Sequence, residues 1–301
     1  TGRGGVATAA STLTLGGARN LGDTLIMDVQ ADAGRYWRAG VFDTYTGRGW
    51  VNTDQETVVV DAGEPLPVAA YSLRQTITQT VVMHLPLDAA LFTLPQPLAV
   101  DLPARVEFSS LTLSGQGQRI AEVSRMISRV PIQEGESYRV LASVSEADEE
   151  SLRRAGAYYP EWVAARYLQL PENLPEEVRA LAEKIAQGTD SPYDKVVALE
   201  SYLRRIPYND QIAAPPPDED GVAYFLFDVQ QGYCDYYASA LAVMARAVGV
   251  PARIATGYAQ GEYQEEGNVY RVRERDAHTW TEVFFPGYGW EEFEPTASQP
   301  A

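Results

Sequence analysis

The chain has 301 residues, 45% of them hydrophobic and 22% charged, enough apolar material for one large core or two ordinary ones, and two domains are expected. Its 41 acidic and 24 basic residues give a net charge of -17, which repels phosphate backbones and anionic head groups and argues against a nucleic-acid partner. No run approaches the roughly 20 apolar residues that span a bilayer, so a soluble chain is expected.

From about Ser11 to Val144 the signals are those of strands. Leu25, Met27, Val29 and Ala31 alternate with polar positions, and Ile77, Val81 and Met83 share one face of a second run, the period of 2 that a half-buried strand requires. Turn residues recur between such runs: Gly34, Thr46-Gly47, Gly63, Pro65, Pro95, Pro97, Pro103, Gly115 and Gly117. Residues 1–145 therefore read as an antiparallel, β-sandwich-like domain. Its aromatic-rich segment, Tyr36 to Trp50, could stack sugars, but buried cross-strand pairing is the commoner use of such residues and is the reading preferred.

Residues 146–301 read as a helical linker followed by a second, α+β domain. Acidic residues open it from Glu146 to Glu150, and a stretch rich in Pro and Leu runs from Tyr167 to Pro175. Behind Pro175, the spacing of Val178, Leu181, Ala182 and Ile185 predicts an amphipathic helix that Gly188 closes. Asp190 or Ser191 can cap a second helix, with Pro192 in its first turn and Val196, Leu199 and Leu203 as its apolar stripe. Residues 211–221 hold three prolines and an acidic tip, so they read as an exposed loop, and the tip lacks the ligand spacing of a calcium loop.

The chemistry concentrates in the last third of the chain. Ala238, Leu241, Ala242 and Ala245 recur with helical spacing and are small enough to sit deep in a core, while Gly249-Val250-Pro251 ends the run. Cys234, the single cysteine, then lies at the helix N-terminus, where unsatisfied amides and the dipole favour the thiolate and could hold an oxyanion. One cysteine forms no intrachain disulfide, and a small buried hydrophobe is the ordinary use of an unpaired one. The neighbourhood favours chemistry.

A thiolate needs an imidazole partner, and the chain offers two. His84 sits inside the β-domain in Val82-Met83-His84-Leu85, where a structural role is the default. His278 heads a strand-like run, Asp276-Ala277-His278-Thr279-Trp280-Thr281-Glu282-Val283. The turn Pro286 to Gly289 leads into Trp290-Glu291-Glu292-Phe293-Glu294, which should pair antiparallel to the His strand and bring a carboxylate to the imidazole. Asp276, Glu282, Glu292 and Glu294 are the candidate carboxylates near it, and strand pairing by itself leaves the choice among them open.

These motifs together resemble the core of the transglutaminase-like superfamily. The resemblance rests on Gly-Tyr-Cys234, Arg-Ala-Val-Gly-Val-Pro-Ala-Arg (246–253), Thr-Gly-Tyr (256–258), Asp-Ala-His278-Thr-Trp-Thr-Glu-Val and Gly-Trp-Glu-Glu-Phe-Glu294-Pro-Thr, over about Leu170 to Thr296. It implies a papain-like fold and a Cys-His-Asp triad in this chain order. Here Glu294 stands where the family has aspartate, one methylene longer, which alters the geometry expected of the third member. The segment from Tyr36 to Trp50 further resembles the β-region before the core in bacterial membrane-anchored members, whose catalytic part lies outside the cytoplasmic membrane. The start at Thr1, behind the Gly-rich lead Thr1 to Gly5, suits a piece of a longer protein.

The resulting expectation is thioester-forming acyl transfer at amide groups of a protein or peptide, with Cys234, His278 and Glu294 as the catalytic set and a primary amine or water as acceptor. A cysteine peptidase or cell-wall amidase with the same triad is the first alternative, and a catalytically silent binding module the second. No metal motif and no phosphate-binding glycine loop occurs, so no cofactor or metal is expected. For the second oxyanion donor, Tyr208, Gln230 and Gln231 are the nearby candidates.

Overall fold

A computed structural model of the chain describes residues 11–54, 56–87, 90–112 and 119–300. The Gly-rich lead Thr1 to Gly5 and the turn residues Gly115 and Gly117 lie outside the described residues. The fold is α+β, with antiparallel sheets and a helical layer packed on one of them.

The larger sheet has six strands, in the spatial order Glu262–Gln264, Val269–Arg273, Leu25–Gln30, Arg74–Met83, Ser137–Ser145 and Gln96–Val100. Every neighbouring pair in it is antiparallel. The expected alternation is what buries it: Met27, Val29, Ile77, Val81 and Met83 all point into one apolar core. Across that core lies a three-stranded sheet of Arg119–Ser128, Ala104–Thr112 and Glu56–Val60, contributing Ala104, Val106, Val123 and Met126. Two sheets sharing one core make the sandwich-like half, stabilised chiefly by buried apolar area.

The second sheet has four antiparallel strands, in the order Gly289–Phe293, Ala277–Phe285, Ala252–Ala259 and Tyr36–Phe42. The helix Cys234–Ala247 crosses one face of it, buried along nearly its whole length. Alanines at 238, 240, 242 and 245 let its backbone approach closely, and helices Glu176–Ala186 and Pro192–Leu203 complete the layer. Ser191 caps the latter by accepting from the Asp194 amide at 3.1 Å, with Pro192 in the first turn. The thiol helix ends in a Schellman arrangement: the Val250 amide donates to the Ala245 carbonyl at 2.8 Å and the Gly249 amide to Arg246 at 3.0 Å. Gly249 takes φ +79 there, a conformation costly for any side chain.

Strand pairing crosses the sequence division at 145/146 in both directions. Tyr36–Phe42, from the first half, is the edge strand of the four-stranded sheet, and Val269–Arg273, from the second, pairs with Leu25–Gln30. Burial is the reason. Tyr36–Phe42 is buried at every position, the signature of a strand covered on both faces.

The loop at 211–221 acquires partners that composition did not suggest. Arg48 donates to the carbonyls of Pro216 (2.5 Å) and Pro217 (2.7 Å), and Asp220 caps the next turn through the amides of Val222 and Ala223 while accepting from the Tyr45 hydroxyl at 3.0 Å. The acidic tip thus works as a helix cap.

Candidate active site

Cys234 is the first residue of its helix, after Tyr233 as N-cap, so its amide has no acceptor within the helix. His278 is the second residue of the strand Ala277–Phe285 and stands in register opposite Gly257. On its other side the same residue must be glycine: a Cβ at 257 would lie 2.0 Å from the Trp37 carbonyl oxygen on the edge strand Tyr36–Phe42. The Thr-Gly-Tyr motif is therefore a close-approach device that seats Tyr36–Phe42 against Ala252–Ala259, the strand that separates it from the His strand.

Glu294 follows directly on the strand Gly289–Phe293. Its Oε2 lies 2.6 Å from His278 Nε2 and accepts a second hydrogen bond from the Tyr36 hydroxyl at 2.5 Å. Oε1 accepts from the Thr296 amide at 2.8 Å. The backbone is held too, the Glu294 amide donating to Glu200 Oε1 and Arg204 donating to its carbonyl, each at 2.7 Å. These contacts absorb the extra methylene: the carboxylate is fixed at both ends and still meets the imidazole.

The electrostatics follow from that arrangement. Burial alone would lower the His278 pKa, but the Glu294 charge, hydrogen bonds with Cys234 and Glu294, and the sulfur's charge push it up to about 10. Burial likewise opposes ionisation of Glu294, and the His278 charge with the bonds from His278, Thr296 and Tyr36 overrides it and holds the carboxyl below its ordinary range. The surroundings thus favour the charged form of the ring. Nε2–H faces Glu294, which leaves Nδ1 for the sulfur.

Tyr36 and Trp280 wall the imidazole. The Tyr36 ring stacks on Trp280 with centroids 4.4 Å apart and on His278 at 5.6 Å. Beside the sulfur, Asp235 Oδ1 lies 3.6 Å from Sγ and accepts from Thr279 Oγ1 at 2.5 Å. A donor to Sγ also comes from far upstream: Arg19 Nη1 lies 2.8 Å from the sulfur, with Nη2 donating to the Ala277 carbonyl at 3.2 Å.

Sequence reasoning misses Arg19 and Tyr36. Arg19 sits in a stretch without periodicity, and Tyr36 belongs to an aromatic segment that reads as core. An arginine and a tyrosine with no local pattern give no signal. The competing carboxylates lie elsewhere: Asp276 accepts from the Arg273 amide at 2.7 Å, Glu282 is enclosed by Arg38 and Arg253, and Glu292 Oε1 is buried without a hydrogen bond from the described residues. His84 pairs with Asp28 at 3.0 Å inside the β-half. Among the oxyanion candidates, Gln231 Oε1 accepts from Asn209 Nδ2 at 3.1 Å, a contact that does not engage the N–H donors of Gln231 itself, and Tyr208 lies close enough to Cys234 that burial, then the sulfur's charge, push its hydroxyl to about 12. Among the described residues no group of His, Cys, Asp and Glu could hold a metal ion, and no helix is long and apolar enough to cross a membrane.

Comparison with known proteins bears on the same residues. Residues 179–295 match the family model of the transglutaminase-like superfamily, and residues 1–149 match that of the TgpA N-terminal domain. The chain is 33% identical over 298 residues to the uncharacterised protein YebA of Bacillus subtilis (strain 168), covering 94% of this chain and 40% of that protein. It is 40% identical over 131 residues to a protein-glutamine gamma-glutamyltransferase of Pseudomonas aeruginosa, covering 44% of this chain and 20% of that protein. The chain thus spans well under half the length of either curated relative. Its fold is similar to the crystal structure of the periplasmic domain of TgpA from Pseudomonas aeruginosa, with a TM-score of 0.67 and 26% identity over 96% of this chain and 94% of that one. The ethylmercury-bound form of that domain matches with a TM-score of 0.63 and the same identity, over 91% and 90% of the two chains.

Proposed function

We propose that this chain, which belongs to the transglutaminase-like superfamily through residues 179–295, is a thiol acyltransferase acting on the side-chain amide of protein glutamine, with Cys234, His278 and Glu294 as its catalytic set. The observation that carries this reading is the buried His278–Glu294 pair, 2.6 Å apart, hydrogen-bonded on to a thiol at a helix N-terminus. A scaffold gains nothing from burying a thiol, an imidazole and a carboxylate together, because each must be desolvated.

In this reading the Cys234 sulfur attacks the amide carbon, forming the S–C bond while the carbonyl electrons move to oxygen. Collapse of that tetrahedral species breaks the C–N bond, and His278 Nδ1 supplies the proton that lets ammonia leave. Glu294, itself held by the Tyr36 hydroxyl, keeps the ring oriented and compensates its charge. A primary amine then attacks the thioester, the S–C bond breaks, and the incoming nitrogen returns a proton to His278. Water in place of the amine gives deamidation, and the relative named as a glutamine transferase supports the amine.

The working location is proposed to be extracytoplasmic, supported by the likeness to a periplasmic domain, with attachment of the parent protein to a membrane through segments outside these 301 residues. The division into units 1–145 and 146–301 is proposed as functional: the second carries the reacting groups, and the first lends strand Tyr36–Phe42 and Arg19 to them. Incubation with a glutamine-containing protein and a labelled primary amine, read by mass spectrometry, tests the reading. Incorporation absent in Cys234→Ala is the expected result. Ammonia without incorporation would make the protein a deamidase, backbone cleavage a peptidase, and no Cys234-dependent chemistry a binding module.

A further inference from the structure

The stretch 15–24 runs without regular structure across the start of the thiol helix, yet it is firmly attached there. The Gly16 carbonyl accepts from the Tyr236 hydroxyl at 2.6 Å, and the Gly17 carbonyl from Tyr233 at 3.1 Å. The Arg19 amide donates to the Asp210 carbonyl at 2.8 Å, and Gln211 Nε2 donates to the Arg19 carbonyl at 3.1 Å. Two tyrosines that flank Cys234 in sequence thus fix the segment, and Arg19 comes from it to the sulfur. Burial opposes the charge on Arg19, but the charges of Cys234 and Asp235 and the hydrogen bond to sulfur outweigh it and hold the guanidinium above its ordinary range.

We infer that Arg19 is a further catalytic residue, the charged donor that follows the negative charge from the Cys234 sulfur to the acyl oxygen during thioester formation. This rests on the acyl-transfer reading of the site. An acyl oxygen on the carbon that bonds sulfur lies within about 3 Å of Sγ, so a guanidinium nitrogen already 2.8 Å from Sγ can reach it with a small displacement. The Cys234 amide, without an acceptor in its own helix, is the other donor. Arginine suits the task because it cannot lose its proton and presents several N–H groups in a plane: Nη2 keeps the Ala277 carbonyl while Nη1 changes partner. In the resting state, with Cys234 and His278 only 3% and 4% exposed, the same group covers the sulfur and yields when a carbonyl arrives.

The test separates two reactions of one sulfur. Acylation by p-nitrophenyl acetate passes through an oxyanion: the S–C bond forms, the ester C–O bond breaks and nitrophenolate leaves. Alkylation by iodoacetamide has no oxyanion. Both rates are measured, with the adduct confirmed by mass spectrometry, in native protein, Arg19→Gln, Arg19→Lys, Tyr208→Phe and Cys234→Ala. Arg19→Gln is expected to slow acylation by about a hundredfold more than it slows alkylation, with Arg19→Lys recovering part of the loss. Equal changes in the two rates, in either direction, would overturn the inference in favour of a group acting on the sulfur or merely covering it. A selective acylation defect in Tyr208→Phe but not in Arg19→Gln would transfer the role to the phenol. Native protein that takes up no acyl group at Cys234 would overturn the acyl-transfer reading itself, and the inference with it.

Discussion

Along one face of the strand Ala277–Phe285 lie two buried acid–base clusters. At its head His278 meets Glu294 at 2.6 Å, and two pleats further on Glu282 is bonded by Arg253 at 2.7 Å and Arg38 at 3.2 Å. Both are almost fully buried, so burial does not tell them apart. Proton chemistry does. Burial opposes the charge of Glu282, but Arg253 and Arg38 outweigh it and hold the carboxyl below its ordinary range between groups that keep their protons. That cluster can tie Tyr36–Phe42 to Ala252–Ala259 and Ala277–Phe285, and it can do little else. In the proposed reading the His278 cluster contains the proton that moves, and it stands beside the sulfur that receives the acyl group. A buried ion pair becomes a site only when one member can exchange its proton near a nucleophile.

The sharpest way to break this comparison is to remove one group from each cluster. His278→Ala should lower amine incorporation by about ten-thousandfold or more at equal folded concentration, since a nucleophile without its partner loses most of its rate; a loss below tenfold would dismiss the imidazole from the chemistry. Glu294→Gln should cost about a hundredfold to a thousandfold in turnover, because a neutral amide no longer compensates the imidazolium. Glu292→Gln, on the adjoining strand, should leave turnover nearly unchanged, and equal losses in both variants would mean that the third member is elsewhere.

Glu282→Ala should act on the fold. Leaving Arg38 and Arg253 buried without their carboxylate is expected to destabilise by about 3–5 kcal/mol in denaturant titration, while the folded fraction keeps its thiol reactivity. An unchanged midpoint would show that the network carries no stability. The smallest effect concerns Glu292, which burial and then the Glu282 charge push up to about 8. A carboxyl raised in the folded state destabilises the fold above its unfolded value of about 4.3, increasingly so until pH 8, because the folded chain there binds more protons than the unfolded one. Glu292→Gln should therefore match the native protein at pH 4 and exceed its stability by a margin that grows as pH rises to 8. A stability difference that is flat in pH would count against a protonated Glu292.

Much of this was readable in the order of residues, because it depends on short-range pattern. Alanines at helical spacing announced a deeply packed helix with Cys234 at its start, Pro and Gly bracketed the helices before it, and the turn at 286–289 announced the hairpin that delivers Glu294 to His278. Each of these rests on separations of a few residues, over which backbone periodicity and turn geometry leave little freedom. Arg19 and Tyr36 were decided otherwise. Arg19 is 215 residues from Cys234, and Tyr36 is 258 from Glu294, and no periodicity links positions so far apart. The exchange of Tyr36–Phe42 into the second sheet was equally silent, since a strand buried on both faces loses its alternation and matches any partner of the right length. What settles such contacts is the closing of the sheet around Gly257, where two backbones meet too closely for a side chain, and the need of each buried polar group for a partner once water is gone.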